Sequence, residues 1–150
     1  MPYEFKLTRR IEFAETDMAG IVHFANFFRM MEGTEHAFFR SLGCTIHGHD
    51  EGGATGWPRV SASCDFRAPL RFEDEVEIHL LVAEVRTRSI RYRFIFRKAA
   101  DGTEVALGTV AAVCATVDRA TGKLVPVPIP EHIRAQISAA PADLLASSSA

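Results

Sequence analysis

The chain has 150 residues, 47% of them hydrophobic and 24% charged, which is enough for one globular domain with a substantial core. With a formal net charge of −2, it lacks the basic balance that is typical of nucleic-acid-binding proteins. No apolar run reaches the roughly 20 residues of a transmembrane helix, and the three widely spaced cysteines are typical of reduced thiols. We therefore predict a cytoplasmic protein with no nucleic-acid or membrane partner.

The first predicted element is a β-strand. Apolar and polar residues alternate from Tyr3 to Phe13, which is the pattern of a strand with one buried face. Arg9 is the one break in the apolar series. A sharp turn that contains Asp17 then separates this strand from the next element.

A long amphipathic helix is predicted after the turn. From Phe24 to Leu42 the apolar residues recur at spacings of three and four, the period of a helix with one apolar face, and Gly43 follows as a C-terminal cap. Gly33 lies inside the helix, where glycine costs about 1 kcal/mol relative to alanine. We therefore expect another backbone to approach the helix closely at Gly33.

An antiparallel sheet is predicted after the helix. The glycine-rich segment 44–56 has no period and is predicted to be a loop that serves as a lid or an interface. Four strands follow, within residues 60–67, 76–82, 90–97 and 105–117, and Asp101-Gly102 predicts the turn between the last two. The segment 105–117 is apolar almost throughout, so we predict that it is the central strand.

This order of elements predicts one α+β domain over residues 1–137, with an antiparallel β-sheet wrapped around one long α-helix. A short helix is predicted within 131–137. The Ala/Ser-rich remainder, 138–150, is predicted to be a disordered C-terminal tail.

Asp17 is the candidate catalytic residue. It lies a few residues before the start of a helix, where free N–H groups and the positive end of the helix dipole stabilise a developing oxyanion. A carboxylate at that place can attack a carbonyl carbon or can deprotonate a water as a general base, and the sequence does not separate these routes. The alternative is a turn residue whose carboxylate only caps backbone N–H groups.

Other polar residues have two interpretations each. His23 either contacts substrate and orients a water, or is a partly buried histidine at the start of the helix. Glu32 and His36 share a helix face, as two metal ligands would, but without a third ligand nearby we predict no metal and no cofactor. Arg86 and Arg88 either bind phosphate groups or belong to the solvated face of an edge strand.

The segment from Thr16 to Phe27, TDMAGIVHFANF, resembles the corresponding segment of the hotdog-fold acyl-CoA thioesterases, in particular the 4-hydroxybenzoyl-CoA thioesterase-like family. Weaker similarity is found in 66–76, FRAPLRFEDEV, and in 88–90, and the whole resemblance spans about residues 5 to 130. It implies the hotdog fold and the hydrolysis of an acyl- or aryl-CoA thioester to the free acid and CoA.

The resemblance also implies roles for single residues. Asp17 matches the catalytic carboxylate, and the backbone N–H of Phe24 matches the donor to the thioester oxygen. Relatives also carry basic residues at Arg86 and Arg88, which favours contacts with the CoA phosphates. His23 is retained as a further catalytic candidate, although His23 and Phe24 differ from the residues that relatives often carry there, which bears on the identity of the substrate.

Gly20 and Phe27 complete the predicted substrate-binding set. Family members form homodimers or homotetramers with active sites between subunits, so we expect the same assembly here, with acyl-CoA as the small-molecule partner. Two other functions fit the sequence. One is an acyl-thioester hydratase or dehydratase of the same fold, in which Asp17 and His23 act as a pair. The other is a module that binds acyl thioesters without turnover.

Overall fold

The computed structural model describes residues 2–50 and 53–147 and contains a larger antiparallel sheet, a smaller one and one long helix. None of the helices in these ranges is long and apolar enough to cross a bilayer. In chain order the elements are β1 (Glu4–Arg10), α1 (Ala25–Ser41), β2 (Gly48–Asp50), β3 (Gly53–Gly56), β4 (Arg59–Phe66), β5 (Glu75–Val85), β6 (Ser89–Lys98), β7 (Glu104–Val113), β8 (Ala115–Val117), β9 (Leu124–Pro126), α2 (Glu131–Arg134) and α3 (Ala142–Ser147).

The larger sheet has five strands in the order β1-β5-β6-β7-β4, and every neighbouring pair is antiparallel. The smaller sheet has the order β2-β3-β8-β9. Strands β6 and β7 form the predicted hairpin, with Gly102 in the left-handed region at φ 75° in its turn. The predicted α+β class, one long helix with an antiparallel sheet, is confirmed.

Helix α1 packs its apolar stripe against the larger sheet. Phe27, Met31 and Phe38 are at most 4% exposed, because their spacing along the helix places them on one face. Across the interface, Phe96 of β6 packs edge-on against Phe27, with ring centroids 5.2 Å apart. The helix ends as predicted, since Gly43 adopts φ 73° just beyond it.

The central strand is not the one that we predicted. Strand β6 lies in the middle of the larger sheet, and the segment 105–117 is divided between β7 and β8. The segment 105–117 is apolar on both faces for a different reason than a central position in the sheet. On its second face Leu107 packs on a small cluster formed by Leu81, Ile95 and Ala140, so the C-terminal segment covers the sheet there.

The predicted disordered tail is therefore ordered as far as residue 147. The Ala140 N–H donates to the Val82 carbonyl at 2.7 Å, and helix α3 follows. The predicted loop 44–56 also contains the paired strands β2 and β3. Residues 51–52 and 148–150 lie outside the described ranges.

The close backbone approach that we predicted at Gly33 is absent, since a Cβ added there would meet no atom within 4 Å among the described residues. A close contact between helix and sheet occurs at Gly108 of β7, where an added Cβ would overlap the Met31 sulfur. The Met31 side chain of α1 therefore packs directly on the backbone of the sheet at a glycine.

We predict opposite effects on stability for two glycine substitutions. Gly108→Ala should lower the free energy of unfolding by about 1–2 kcal/mol, because the buried Met31 side chain must move. Gly33→Ala should raise it by up to about 1 kcal/mol, because alanine is the better helix former and the site has room. Urea unfolding of both variants checks this, and a Gly108→Ala variant as stable as the wild type would contradict the packing described.

Candidate active site

Asp17 lies in a tight turn between β1 and α1. The Gly20 N–H donates to the Asp17 carbonyl at 3.0 Å, and the Asp17 N–H donates to the Ile21 carbonyl at 2.9 Å. The side-chain Oδ1 of Asp17 accepts the Ala19 N–H at 2.9 Å, which is an Asx turn. Gly20 has φ 79°, which favours glycine at this position. The turn thus holds the carboxylate in place while Oδ2 has no partner in the described part of the chain.

Arg9, the break in the apolar series of β1, supports this turn through Glu15. Its Nη1 and Nη2 donate to the two carboxylate oxygens of Glu15, each at 2.7 Å. Glu15 Oε1 also accepts the Glu12 N–H at 2.8 Å. Partial burial raises the pKa of Glu15, but the hydrogen bonds from Arg9 and Glu12 and the charge of Arg9 outweigh burial and hold that pKa below its ordinary value of 4.5.

The backbone carbonyl of Glu15 joins the turn to the start of helix α1. It accepts the His23 N–H at 2.9 Å and the Asn26 side-chain Nδ2 at 2.8 Å. The Asn26 side chain therefore ties the helix to the preceding turn instead of capping it. A second hydrogen bond joins this region to the segment before β5, because the Val22 N–H donates to the Leu70 carbonyl at 2.8 Å.

The first turn of α1 leaves one N–H unused. Among the five consecutive N–H groups of residues 23–27, only that of Phe24 has no acceptor in the described part of the chain. The other four donate to Glu15 O (from His23, 2.9 Å), His23 Nδ1 (from Ala25, 3.2 Å), His23 O (from Asn26, 2.9 Å) and Phe24 O (from Phe27, 3.2 Å). A free N–H at the positive end of a helix dipole is a donor suited to an oxyanion.

Asp17 and Phe24 line the same open cleft, whose volume is about 600 Å³. Its apolar wall includes Phe27 and Phe66, whose ring centroids lie 5.1 Å apart. Phe24 is 62% exposed, which is unusual for a large apolar side chain. The residues that line the cleft therefore include an aspartate, a residue with an unused backbone N–H and apolar side chains that an acyl group can cover.

The structure brings together only part of the predicted site. Phe27 lines the cleft with Asp17 and Phe24, and Gly20 shapes the Asp17 turn. The His23 ring stacks on Phe24 at 4.7 Å outside the lining residues, and its Nδ1 accepts the Ala25 N–H.

The two predicted phosphate-binding arginines lie elsewhere. Arg86 and Arg88 are exposed at the turn between β5 and β6, and neither lines the cleft. Arg86 is paired with Glu84 at 3.0 Å.

Sequence reasoning missed the second wall of the cleft. Residues 66–71, between β4 and β5, line it and include Arg67 and Arg71. The weaker similarity of 66–76 to a family segment marked this region, but none of its residues was predicted to belong to the site. The wall reaches the Asp17 turn through the hydrogen bond from Val22 to Leu70.

An ion pair between the buried Glu35 and the partly exposed Arg59 was also missed. Arg59 of β4 donates to both carboxylate oxygens of Glu35 on α1, at 2.9 and 2.5 Å, beside a second cavity of about 130 Å³. Burial raises the pKa of Glu35 above its ordinary value, although the hydrogen bonds and charge of Arg59 act in the opposite direction. This pair joins the helix to the edge strand.

The structure also bears on two other chemistries, a thiolate nucleophile at Cys64 and metal binding. Burial, with the charge of Asp65, raises the pKa of the Cys64 thiol to about 12, so the thiolate nucleophile is not formed near neutral pH. The described residues contain no group of three or more potential metal ligands.

Comparisons with known proteins identify the family. The model of the thioesterase-like superfamily matches residues 11–137. The chain belongs to this superfamily. It is 28% identical over 109 residues to the 4-hydroxybenzoyl-CoA thioesterase of Pseudomonas sp. (strain CBS-3), which covers 71% of this chain and 77% of that protein.

Solved structures agree with this assignment. A gentisyl-coenzyme A thioesterase is 31% identical, with a TM-score of 0.72 over 87% of this chain and 99% of that one. A 1,4-dihydroxy-2-naphthoyl-CoA thioesterase from Synechocystis is 23% identical, with a TM-score of 0.78 over 87% of this chain and 93% of that one, which shows a shared fold. The predicted family, the hotdog fold and the enzyme class, a thioester hydrolase, are confirmed.

For this thioesterase-family chain we predict that Glu15 stabilises the fold only when it is charged. Because its folded-state pKa lies below 4.5, its contribution is complete above that pH and is lost as the pH falls through the folded-state pKa. The difference in unfolding free energy between wild type and Glu15→Gln should therefore shrink between pH 7 and roughly pH 3. Urea unfolding at several pH values measures it.

Glu104→Gln is the matched control. Glu104 also pairs with an arginine, Arg67, at 2.6 Å, but at a more exposed site where solvent weakens the pair. We expect a smaller effect from this variant at every pH. An effect of Glu15→Gln that does not change with pH would contradict the role assigned to the charge.

Proposed function

We propose that this chain hydrolyses an acyl- or aryl-CoA thioester to the free acid and CoA. Asp17 is the catalytic carboxylate, and the Phe24 N–H binds the thioester oxygen. The observation that carries the proposal is that Asp17 lines the same cleft as Phe24, whose N–H is the one without an acceptor among residues 23–27 in the described part of the chain. The names of two relatives, a 4-hydroxybenzoyl-CoA and a gentisyl-coenzyme A thioesterase, support an aryl-CoA as substrate.

The Phe24 N–H stabilises the negative charge that develops on the thioester oxygen. Loss of one preorganised donor of this kind typically lowers the rate by about 10²- to 10³-fold. The donor is preorganised because the neighbouring N–H groups of His23 and Ala25 already have acceptors, which hold the helix start in one conformation. The helix dipole adds to the stabilisation.

Asp17 acts by one of two routes. As a nucleophile it adds to the carbonyl carbon and displaces the CoA thiolate, and water then hydrolyses the mixed anhydride. As a general base it takes a proton from a water, whose oxygen adds to the carbonyl carbon before the thiolate leaves. Either route uses an unengaged carboxylate oxygen, and Oδ2 of Asp17 has no partner in the described part of the chain.

The remaining predicted residues enter the proposal with smaller roles. Gly20 and Phe27 shape the cleft around the acyl group, and His23 acts through the start of the helix, where its ring stacks on Phe24 and its Nδ1 accepts the Ala25 N–H. The hydratase alternative has less support, because His23 Nδ1 is engaged with the Ala25 N–H and the ring does not line the cleft.

We further propose a homodimer or homotetramer in the cytoplasm. Strand β4 lies at one edge of the larger sheet and exposes apolar side chains, with Val60 at 64% and Phe66 at 49%. Exposed apolar edge strands are favourable surfaces for pairing with a second copy. Arg86 and Arg88 contact the CoA phosphates in such an assembly, where the turn of one subunit reaches the cleft of another.

Asp17→Asn tests the catalytic proposal. Asparagine keeps the size and the Asx turn but cannot act as nucleophile or base, so kcat should fall by about 10²- to 10⁴-fold. Thiol release from a panel of aliphatic and aromatic acyl-CoAs measures the rate.

The matched control for this variant is Asp118→Asn. Asp118 Oδ1 accepts the Ala120 N–H at 2.9 Å, the same Asx geometry as at Asp17, in a turn away from the cleft. It should retain full activity. An Asp17→Asn variant as active as the wild type would exclude the proposed mechanism.

Val60→Lys tests the edge strand. A charge at this exposed position should leave the fold intact and should shift the protein toward monomer. Light scattering after size-exclusion chromatography measures the mass. Val117→Lys, at a 55% exposed valine of β8 in the smaller sheet, is the control that should keep the wild-type mass. Equal masses of both variants and the wild type would argue against pairing through β4.

A further inference from the structure

The cleft contains two arginines in different electrostatic states. Arg67 pairs with Glu104 at 2.6 Å. Arg71 has no ion pair and no side-chain hydrogen bond in the described part of the chain. Asp17 is the one acidic residue among those that line the cleft, and it does not pair with Arg71. Arg71 is thus the lining arginine whose guanidinium has no protein partner in the described part of the chain.

The guanidinium of Arg71 lies beside the catalytic turn. Its Nη1 is 4.0 Å from the position that a Cβ on Gly20 would occupy. Gly20 closes the turn through its hydrogen bond to the Asp17 carbonyl at 3.0 Å. The two ends of a β-turn lie within about 7 Å of each other, so one ligand can contact both Arg71 and Asp17.

The backbone that carries Arg71 is rigidly held. On one side the buried Leu70 accepts the Val22 N–H at 2.8 Å. On the other, the Arg71 N–H donates to Asp74 Oδ2 at 2.8 Å. The segment 71–74 is in turn fixed to Ile11, whose N–H donates to the Asp74 carbonyl at 2.8 Å. Because the backbone at Arg71 is fixed, less conformational entropy is lost when Arg71 binds a ligand than if it lay on a mobile loop.

We propose that Arg71 binds an oxyanion of the thioester substrate and so determines which substrates this site prefers. The planar guanidinium donates two parallel hydrogen bonds to a carboxylate or a phosphate. The oxyanion is either a carboxylate on the acyl group or a phosphate of CoA. This inference rests on the proposed function, because it takes the Asp17 cleft as the place where the thioester binds.

Four substrates separate the two sources of the oxyanion. The 4-carboxybenzoyl and 4-methylbenzoyl groups match in size and differ in charge, and each is prepared as the thioester of CoA and of N-acetylcysteamine, which has no phosphate. On substrates with the recognised oxyanion, Arg71→Gln should lower kcat/KM by about tenfold or more, mainly through KM. Arg71→Lys should restore part of the loss, because it keeps the charge without the planar fork.

Loss on both 4-carboxybenzoyl thioesters but on neither 4-methylbenzoyl thioester would identify an acyl carboxylate. Loss on both CoA thioesters but on neither N-acetylcysteamine thioester would identify a phosphate. Arg29→Gln removes the same charge from an exposed side chain of α1 that does not line the cleft, and it should change kcat/KM by less than about threefold. Equal loss on all four substrates, no loss on any of them, or an equal loss in Arg29→Gln would overturn the proposal.

Failure of the proposed function is distinguished by two further measurements. Turnover of the uncharged 4-methylbenzoyl N-acetylcysteamine thioester, and its loss in Asp17→Asn, tests the function without Arg71. If the wild type hydrolyses none of the substrates, calorimetry with the thioethers S-(4-carboxybenzyl)-CoA and S-(4-methylbenzyl)-CoA, and with their N-acetylcysteamine counterparts, tests Arg71 alone. Weaker binding of the ligands that carry the recognised oxyanion to Arg71→Gln than to Arg29→Gln would support the proposal, and equal binding to both variants would overturn it.

Discussion

The candidate active site depends on Glu15, which joins the three elements around it. Its carboxylate accepts two hydrogen bonds from Arg9 of β1, and its carbonyl accepts the His23 N–H and the Asn26 side chain at the start of α1. The Asp17 turn lies between these two attachments. Because both ends of the turn are held by the same residue, the carboxylate of Asp17 has a defined position relative to the helix.

The hydrophobic core fixes the other half of the geometry. Helix α1 presents the Phe24 N–H correctly only if the helix itself does not move, and the burial of side chains such as Phe27 and Met31 holds it on the sheet. Burial of each such side chain contributes about 1.5–3 kcal/mol. The close contact at Gly108 brings the helix and sheet together where a larger residue would separate them. The packing of α1 on the sheet therefore also fixes the geometry of the candidate site.

The surface of the single chain exposes apolar residues and an open cleft. The cleft is open, Phe24 is largely exposed, and the edge strand β4 carries exposed apolar residues and pairs only with β7 in the described part of the chain. These features are costly in a monomer and are accounted for if a second copy covers them. The guanidinium of Arg71 has no protein partner among the described residues, and a substrate oxyanion would supply one.

The sequence by itself determined the first strand, the long helix, the β6–β7 hairpin and the Asp17 turn. These features arise from residues close together in the chain, whose spacing and turn preferences are visible directly. The tertiary structure alone decided that β6 is central and that residues near Ala140 cover the outer face of the sheet. It also decided that Leu70 and Arg71 reach the Asp17 turn. Such contacts join residues that are far apart in sequence. They depend on hydrogen bonds and packing between distant segments, and these produce no periodic pattern in the local sequence.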